Sequence, residues 1–174
     1  MSATSPQALT ILGVDPGSRV TGFGVIRITQ GRMEHINHGV ILLEAEQSFP
    51  LRMKELGSAF REVMEKYRPH QVIIEKIFLG KNADSAFKLG HARGVVMYEA
   101  GLGGADVYEY ATRVVKKSVT GTGSASKEEV QAILKALLNL QSIQRMDASD
   151  ALAMACHHVF ELKKKAVIER AVNL

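Results

Sequence analysis

Two short apolar runs, well separated in the chain, each end in a single carboxylate. The first, Leu9-Thr-Ile-Leu-Gly-Val14, precedes Asp15; the second, Val72-Ile-Ile74, precedes Glu75. Runs of this length, bounded by turn-forming residues, read as buried strands. A carboxylate at the tip of a buried strand is costly unless a cation lies against it. If these two strands are neighbours in a sheet, Asp15 and Glu75 emerge side by side.

The surrounding pattern supplies such a sheet. Pro16-Gly17 turns the chain after Asp15, and residues 23–28 read as an antiparallel partner strand. Residues 34–43 form a third strand after the Gly31-Arg32 turn. Then the period changes. Met53, Leu56, Phe60, Val63, Met64 and Tyr67 recur at helical spacing, with Ser48 as N-cap, Pro50 in the first turn and Pro69 as the stop. Residues 72–75 are the fourth strand, 82–100 a helix closed by glycines, 107–110 the fifth strand, and 111–119 a short helix. Ser126 and Glu129 have capping-box spacing ahead of a helix with Val130, Ile133, Leu134, Leu137 and Leu138 on its apolar face. A last helix is expected from about Met146 to Lys165.

This order predicts an α/β fold: a five-stranded mixed sheet, built from a three-strand antiparallel meander plus βαβ units, flanked by helices. The expected organisation is a loosely held extension over residues 1–8, one domain over 9–166 and a tail over 167–174. The length, 174 residues, suits a single domain.

Asp147 and Asp150 lie three apart at the start of the last helix and so share one face. Alone, acidic residues in a first turn complement the helix dipole. A helix whose N-terminus packs over the sheet edge would instead bring them to Asp15 and Glu75. Two unit charges at 4 Å repel by roughly 4 kcal/mol at an effective dielectric of 20, so four converging carboxylates need cations. Oxygen-only donors select hard ions, Mg²⁺ with Mn²⁺ as a substitute. Two such ions can activate a water and stabilise the leaving oxygen of a phosphodiester. In that arrangement Asp15 with Asp147 or Asp150 would serve one ion, and Asp15 with Glu75 the other.

The formal net charge of +4 is compatible with a polyanionic partner. One cysteine, Cys156, excludes an internal disulfide and argues against a thiolate zinc site within the chain. Residues 1–7 lack a basic n-region and an apolar core, and the apolar runs are too short to span a bilayer, so the expected location is the cytoplasm, with no membrane partner. Asp15-Pro-Gly-Ser18 also fits the phosphate loop of actin-type and sugar-kinase ATPases, which pair two such domains where this length suits one.

Basic residues cluster near both carboxylate strands. Lys76, Phe78, Lys81 and Lys88 lie in and after the loop that follows Glu75; cations beside an aromatic suit phosphate contact and base stacking. Phe78 equally suits the protein's own core, and Phe87 fits helix packing. Lys116, Lys117 and Lys127 flank the glycine-rich loop 121–124, with Lys127 in the first turn of a helix, where anions are favoured. Lys163, Lys164 and Lys165 suit a solvated helix end, and His157 and His158 lack a third ligand at zinc spacing. Gly90, Ala92 and Gly94 allow close approach to a second subunit or to the chain's own sheet.

Taken together, the motifs resemble the RuvC family of Holliday-junction resolvases over nearly the whole chain. The matching segments are Gly13-Val-Asp-Pro-Gly-Ser-Arg-Val-Thr-Gly22, Ile74-Glu-Lys-Ile-Phe78, Lys81-Asn-Ala-Asp-Ser-Ala86, Leu89-Gly90 with Ala92-Arg-Gly94, Gly121-Thr-Gly-Ser-Ala125 and Asp147-Ala-Ser-Asp-Ala-Leu-Ala153. The resemblance implies a ribonuclease-H-like fold and a homodimer that cuts a four-way DNA junction symmetrically. It implies metal binding by Asp15, Glu75, Asp147 and Asp150. It makes Phe78 a wedge in the junction core, brings Lys116 and Lys127 near the scissile region, and implies a RuvA–RuvB branch-migration partner. Lys76 departs from the Gln or Glu that many relatives carry. Two further readings remain open: a related nuclease acting on RNA or a hybrid, and a junction-binding protein without catalysis.

Overall fold

The computed structural model describes residues 8–76 and 83–172. Five strands form one sheet: β1 (Leu9–Asp15), β2 (Val20–Thr29), β3 (Arg32–Leu42), β4 (Gln71–Glu75) and β5 (Asp106–Tyr110). Their order is β3-β2-β1-β4-β5, with β1, β2 and β3 antiparallel and β4 and β5 parallel to β1 and β4 respectively. The helices are α1 (Phe49–Tyr67), α2 (Ala83–Leu102), α3 (Thr112–Thr120), α4 (Lys127–Leu138) and α5 (Met146–Val172). The mixed sheet, its meander and its order of elements are those expected from the sequence.

Strand alternation sorts side chains between two cores. Leu12, Val14, Val72 and Ile74 pack with α1 and α2 through Leu56, Phe60 and Val96. Ile11, Ile26 and Ile73 pack on the other face with Leu134 and Leu152 of α4 and α5. Asp15 and Glu75 share the parity of Ile11 and Ile73, so both belong to the face covered by α5.

The seat for α5 is made of glycine. Gly13 of β1 pairs with Gly24 of β2, and Asp15 pairs with Gly22. A Cβ on Gly13 would lie 2.0 Å from the Ala151 carbonyl oxygen, and one on Gly22 would lie 2.1 Å from that of Asp147. No side chain fits either gap. The helix therefore lies almost directly on the strand backbones, and its residues 151–159 are buried on every side.

Local signals account for the ends of most elements. Ser126 accepts from the Glu129 N–H at 3.1 Å and the Glu129 carboxylate accepts from the Ser126 N–H at 2.6 Å, completing the capping box. Arg68 closes α1 in the left-handed region at φ 43°, just before Pro69. Strands β2 and β3 begin at Val20 and Arg32, ahead of the expected 23 and 34, and the widest difference is at the end of the last helix. The helix expected to end near Lys165 continues to Val172, so residues 167–172 of the expected tail are helical and exposed. This stretch has no Gly or Pro, and Lys165 and Glu169 form an i,i+4 pair at 3.9 Å.

One packing expectation divides between its two readings and another is corrected. Ala92 faces the core, while Gly90 and Gly94 open outward with nothing within 4 Å of an added Cβ, because the helical turn places residues two apart on different sides. Phe87 is 69% exposed and lines a groove between α1 and α2 instead of packing inside. His157 and His158 are core residues: His158 bridges the Tyr110 hydroxyl at 2.7 Å and the Gln71 amide oxygen at 2.9 Å, and His157 stacks edge-on against Tyr110. Burial pushes the Cys156 thiol up to about 12, leaving it unreactive.

Candidate functional site

The parallel register pairs Val14 with Ile74, so Asp15 and Glu75 leave the sheet as neighbours. Asp147 and Asp150 reach the same edge from the first turns of α5. Gly22 makes this possible, since the Asp147 backbone occupies the space a side chain there would fill. Four carboxylates thus converge on one sheet edge from two strands and one helix.

Their electrostatics show the proximity. The Asp15 carboxyl is raised to about 7, first by burial and then by the negative charges of Asp150, Glu75 and Asp147, with Lys127 opposing the rise. Without a strong counter-charge, the fold therefore opposes ionisation of Asp15.

The chain gives the other three carboxylates partners of its own. Lys127 places Nζ 2.8 Å from Asp150 Oδ2, and this bond raises the lysine above its ordinary value. Arg145 Nε lies 3.8 Å from Asp147 Oδ2. The Thr112 hydroxyl donates to Glu75 Oε1, and the Arg93 guanidinium lies 3.4 Å from the Glu75 carbonyl oxygen while pairing with Glu109. Among the described residues, no hydrogen-bond or ion-pair partner reaches the Asp15 carboxylate, so nothing in direct contact offsets its burial.

Among the described residues, no three His, Cys, Asp or Glu side chains stand close enough to hold a metal ion as they are oriented. Asp150 is turned onto Lys127 and Glu75 onto Thr112. The donor set nevertheless fits a hard divalent ion: every donor is a carboxylate oxygen, and the least satisfied one is buried among three negative neighbours. Rotating Asp150 from its lysine is a side-chain change only.

Other expected residues fall around this edge. Lys116 lines a small cavity of about 30 Å³ with Glu75, Thr112 and Asp150, and its Nζ bonds to the Ala125 carbonyl at 2.9 Å. Lys76 is exposed at the end of β4, its N–H bonded to the Tyr110 carbonyl at 2.8 Å. Lys88 is engaged by Asp84 at 2.6 Å on the surface of α2. Phe78 and Lys81 lie outside the described residues.

Sequence reasoning passed over Thr112, Arg93, Arg145 and the glycine seat. The Gly22-Phe-Gly24 pattern was the available signal. Two glycines at strand spacing leave one face of a strand bare, which marks close backbone approach.

Known proteins resemble this chain over most of its length. The family model described as crossover junction endodeoxyribonuclease RuvC matches residues 11–158. A crossover junction endodeoxyribonuclease RuvC of Bdellovibrio bacteriovorus is 74% identical over 167 residues, covering 96% of this chain and 99% of the relative. Another from Geobacter sp. is 43% identical over 161 residues, covering 92% and 98%. Among solved structures, T. thermophilus RuvC in complex with Holliday junction substrate superposes with a TM-score of 0.79 at 27% identity, covering 90% of this chain and 96% of that one. A yeast mitochondrial Holliday junction resolvase shares the fold, with a TM-score of 0.64 at 13% identity.

Proposed function

The chain belongs to the RuvC family of crossover junction endodeoxyribonucleases, and from that premise we propose that it resolves four-way DNA junctions by divalent-metal-dependent hydrolysis at the Asp15 edge of the sheet. The observation that carries this reading is the raised carboxyl of Asp15 among three further carboxylates, at the positions the family motifs identify. A non-catalytic binding protein has no need to retain such a costly cluster.

Asp15, Glu75, Asp147 and Asp150 would hold Mg²⁺, with two ions per site and Mn²⁺ as a substitute. When bound, such ions activate an attacking water and stabilise charge on the leaving oxygen. The chain's own residues do the rest. Asp15, seated lowest and least partnered, is the shared anchor. Glu75 flanks it from the same sheet edge. Asp147 and Asp150 approach it from α5, and Asp150 would have to turn from Lys127 to serve as a ligand. Lys116 and Lys127 line the approach for a phosphate backbone. Phe78, Lys76 and Lys81, on and just after the same strand end, would contact the junction, with Phe78 entering its core.

A symmetric junction calls for a symmetric enzyme. We place the homodimer contact on the α1–α2 face, where Phe87, Gly90, Gly94 and Tyr98 line a groove of about 850 Å³. Small residues there admit close helix approach, and the exposed aromatics are apolar area for a partner to cover. Family membership also supports action beside a RuvA–RuvB branch-migration complex, in the cytoplasm. Among the described residues no helix is long and apolar enough to cross a membrane.

The decisive experiment compares cleavage of a four-way DNA junction, a linear duplex and an RNA–DNA hybrid in Mg²⁺, for the wild type and Asp15→Asn. Paired nicks in the junction alone, lost in the variant while junction binding persists, are expected. Preferential hybrid cleavage, or nicking by Asp15→Asn, overturns the proposal.

A further inference from the structure

The four carboxylates differ in the kind of partner the chain offers them. Asp150 and Asp147 face cations, Lys127 and Arg145. Glu75 meets a neutral donor, the hydroxyl of Thr112. The difference has a chemical consequence. A lysine or arginine on a carboxylate competes with an incoming dication. A hydroxyl leaves the full negative charge in place and engages one oxygen only.

Backbone register sets this contact. The β4–β5 ladder pairs Glu75 with Tyr110, and Thr112 opens α3 two residues later. Thr112 is β-branched with one side-chain torsion to its oxygen, so the hydroxyl reaches Glu75 with little rotamer freedom. The main chain at Glu75 is held independently. The Lys76 N–H extends the ladder to the Tyr110 carbonyl at 2.8 Å, and Arg93 approaches the Glu75 carbonyl oxygen at 3.4 Å while paired to Glu109. The peptide is fixed by these contacts, and Thr112 fixes the carboxylate.

We propose that Thr112 is a positioning residue for Glu75. Its hydroxyl holds one carboxylate oxygen and leaves the other to ligate a divalent ion together with Asp15. The inference rests on the metal-site reading above. Hydrogen-bonded support of a ligating side chain is commonly worth about 10–100-fold in metal affinity.

The test is Mn²⁺ binding to the full chain, read by electron paramagnetic resonance of free Mn²⁺, with Thr112→Val, Thr112→Ala, Thr112→Ser and Asp15→Asn beside the wild type. Val and Ala should weaken Mn²⁺ binding by about 10–100-fold. Ser, which keeps the donor, should stay within about threefold of the wild type by the same argument. Junction binding in EDTA should be the same for every Thr112 variant. The metal midpoint for cleavage should rise for Val and Ala, with the rate at saturating metal nearly retained. Wild-type Mn²⁺ affinity in both Val and Ala overturns the proposal, as does a Ser variant no better than they are. Equal Mn²⁺ binding by the wild type and Asp15→Asn instead brings down the metal-site reading itself.

Discussion

Lys127 holds Asp150 through a 2.8 Å ion pair at the mouth of the carboxylate cluster. Both partners are partly solvated, so the pair itself is worth under about 1 kcal/mol. Its larger role is to occupy the place of a stronger cation. Lys127→Met is expected to bind Mn²⁺ about fivefold more tightly in the absence of DNA, since about 1 kcal/mol of competition is removed. Calorimetric titration reads this directly. Weaker binding in that variant shows that the lysine orients Asp150 for the metal instead of competing with it.

Metal-free folding works against an ionised Asp15. Burial and three negative neighbours both oppose its charge. Asp15→Asn keeps the shape and removes the charge, so in EDTA at pH 8 it should be more stable than the wild type by about 1–3 kcal/mol. Added Mg²⁺ should then stabilise the wild type and leave the variant unchanged. Thermal melts with and without metal check both statements; a less stable variant in EDTA contradicts them.

Gly22 has no room for a methyl group. Its added Cβ would stand 2.1 Å from the Asp147 carbonyl oxygen, against backbone rather than a yielding side chain. Gly22→Ala should cost about 2–4 kcal/mol in urea unfolding and displace Asp147 enough to suppress cleavage. Gly90→Ala, which meets nothing within 4 Å, is the matched control and should leave monomer stability within about 0.5 kcal/mol, apart from a small gain in helix propensity.

The α1–α2 groove gives a prediction about assembly. Gly94→Arg places a long charged side chain where Gly94 now opens into the space beside Tyr98. Sedimentation should show a monomer that retains the wild-type circular dichroism spectrum and metal binding. A variant that still sediments as a dimer moves the interface elsewhere.

His158 makes the fold sensitive to acid. Burial, assisted by the neighbouring His157, pushes it down to about 4 from an ordinary 6.5. Between those values the unfolded chain binds the proton and the folded chain does not. Stability from this residue is therefore complete above about pH 6.5 and is lost as pH falls through 4, by about 2–4 kcal/mol. Denaturant midpoints measured at pH 7, 6 and 5 should fall in that order, and His158→Gln should flatten the trend. An unchanged slope in the variant assigns the acid sensitivity to other groups.

Much of the fold was legible because alternation and helical period coincide with burial here. Asp15 and Glu75 were readable as strand tips since each follows an uninterrupted apolar run. Ser126 and Glu129 announced α4 through a local rule that needs no tertiary knowledge. The partners of the carboxylates were hidden, because Thr112, Arg93 and Arg145 reach them only through strand order and register. The orientation of Phe87 was hidden too: an aromatic on a helix looks the same in sequence whether it turns to its own sheet or outward. The end of α5 was missed because its last turns have helix-forming residues but no packing to give them a periodic signature.

The bare strand surface under α5 sets how the site can vary. Two carboxylates belong to the sheet and two to the helix, and the gap between those sets is a backbone-to-backbone contact. Rotamers can turn individual oxygens, but the width of the carboxylate mouth is a dimension of the scaffold. Changing that width would require re-seating α5, whose residues 151–159 are buried. Substitutions around the site can therefore change charge and access, while the spacing between the sheet carboxylates and the helix carboxylates is held by the cost of disturbing the core.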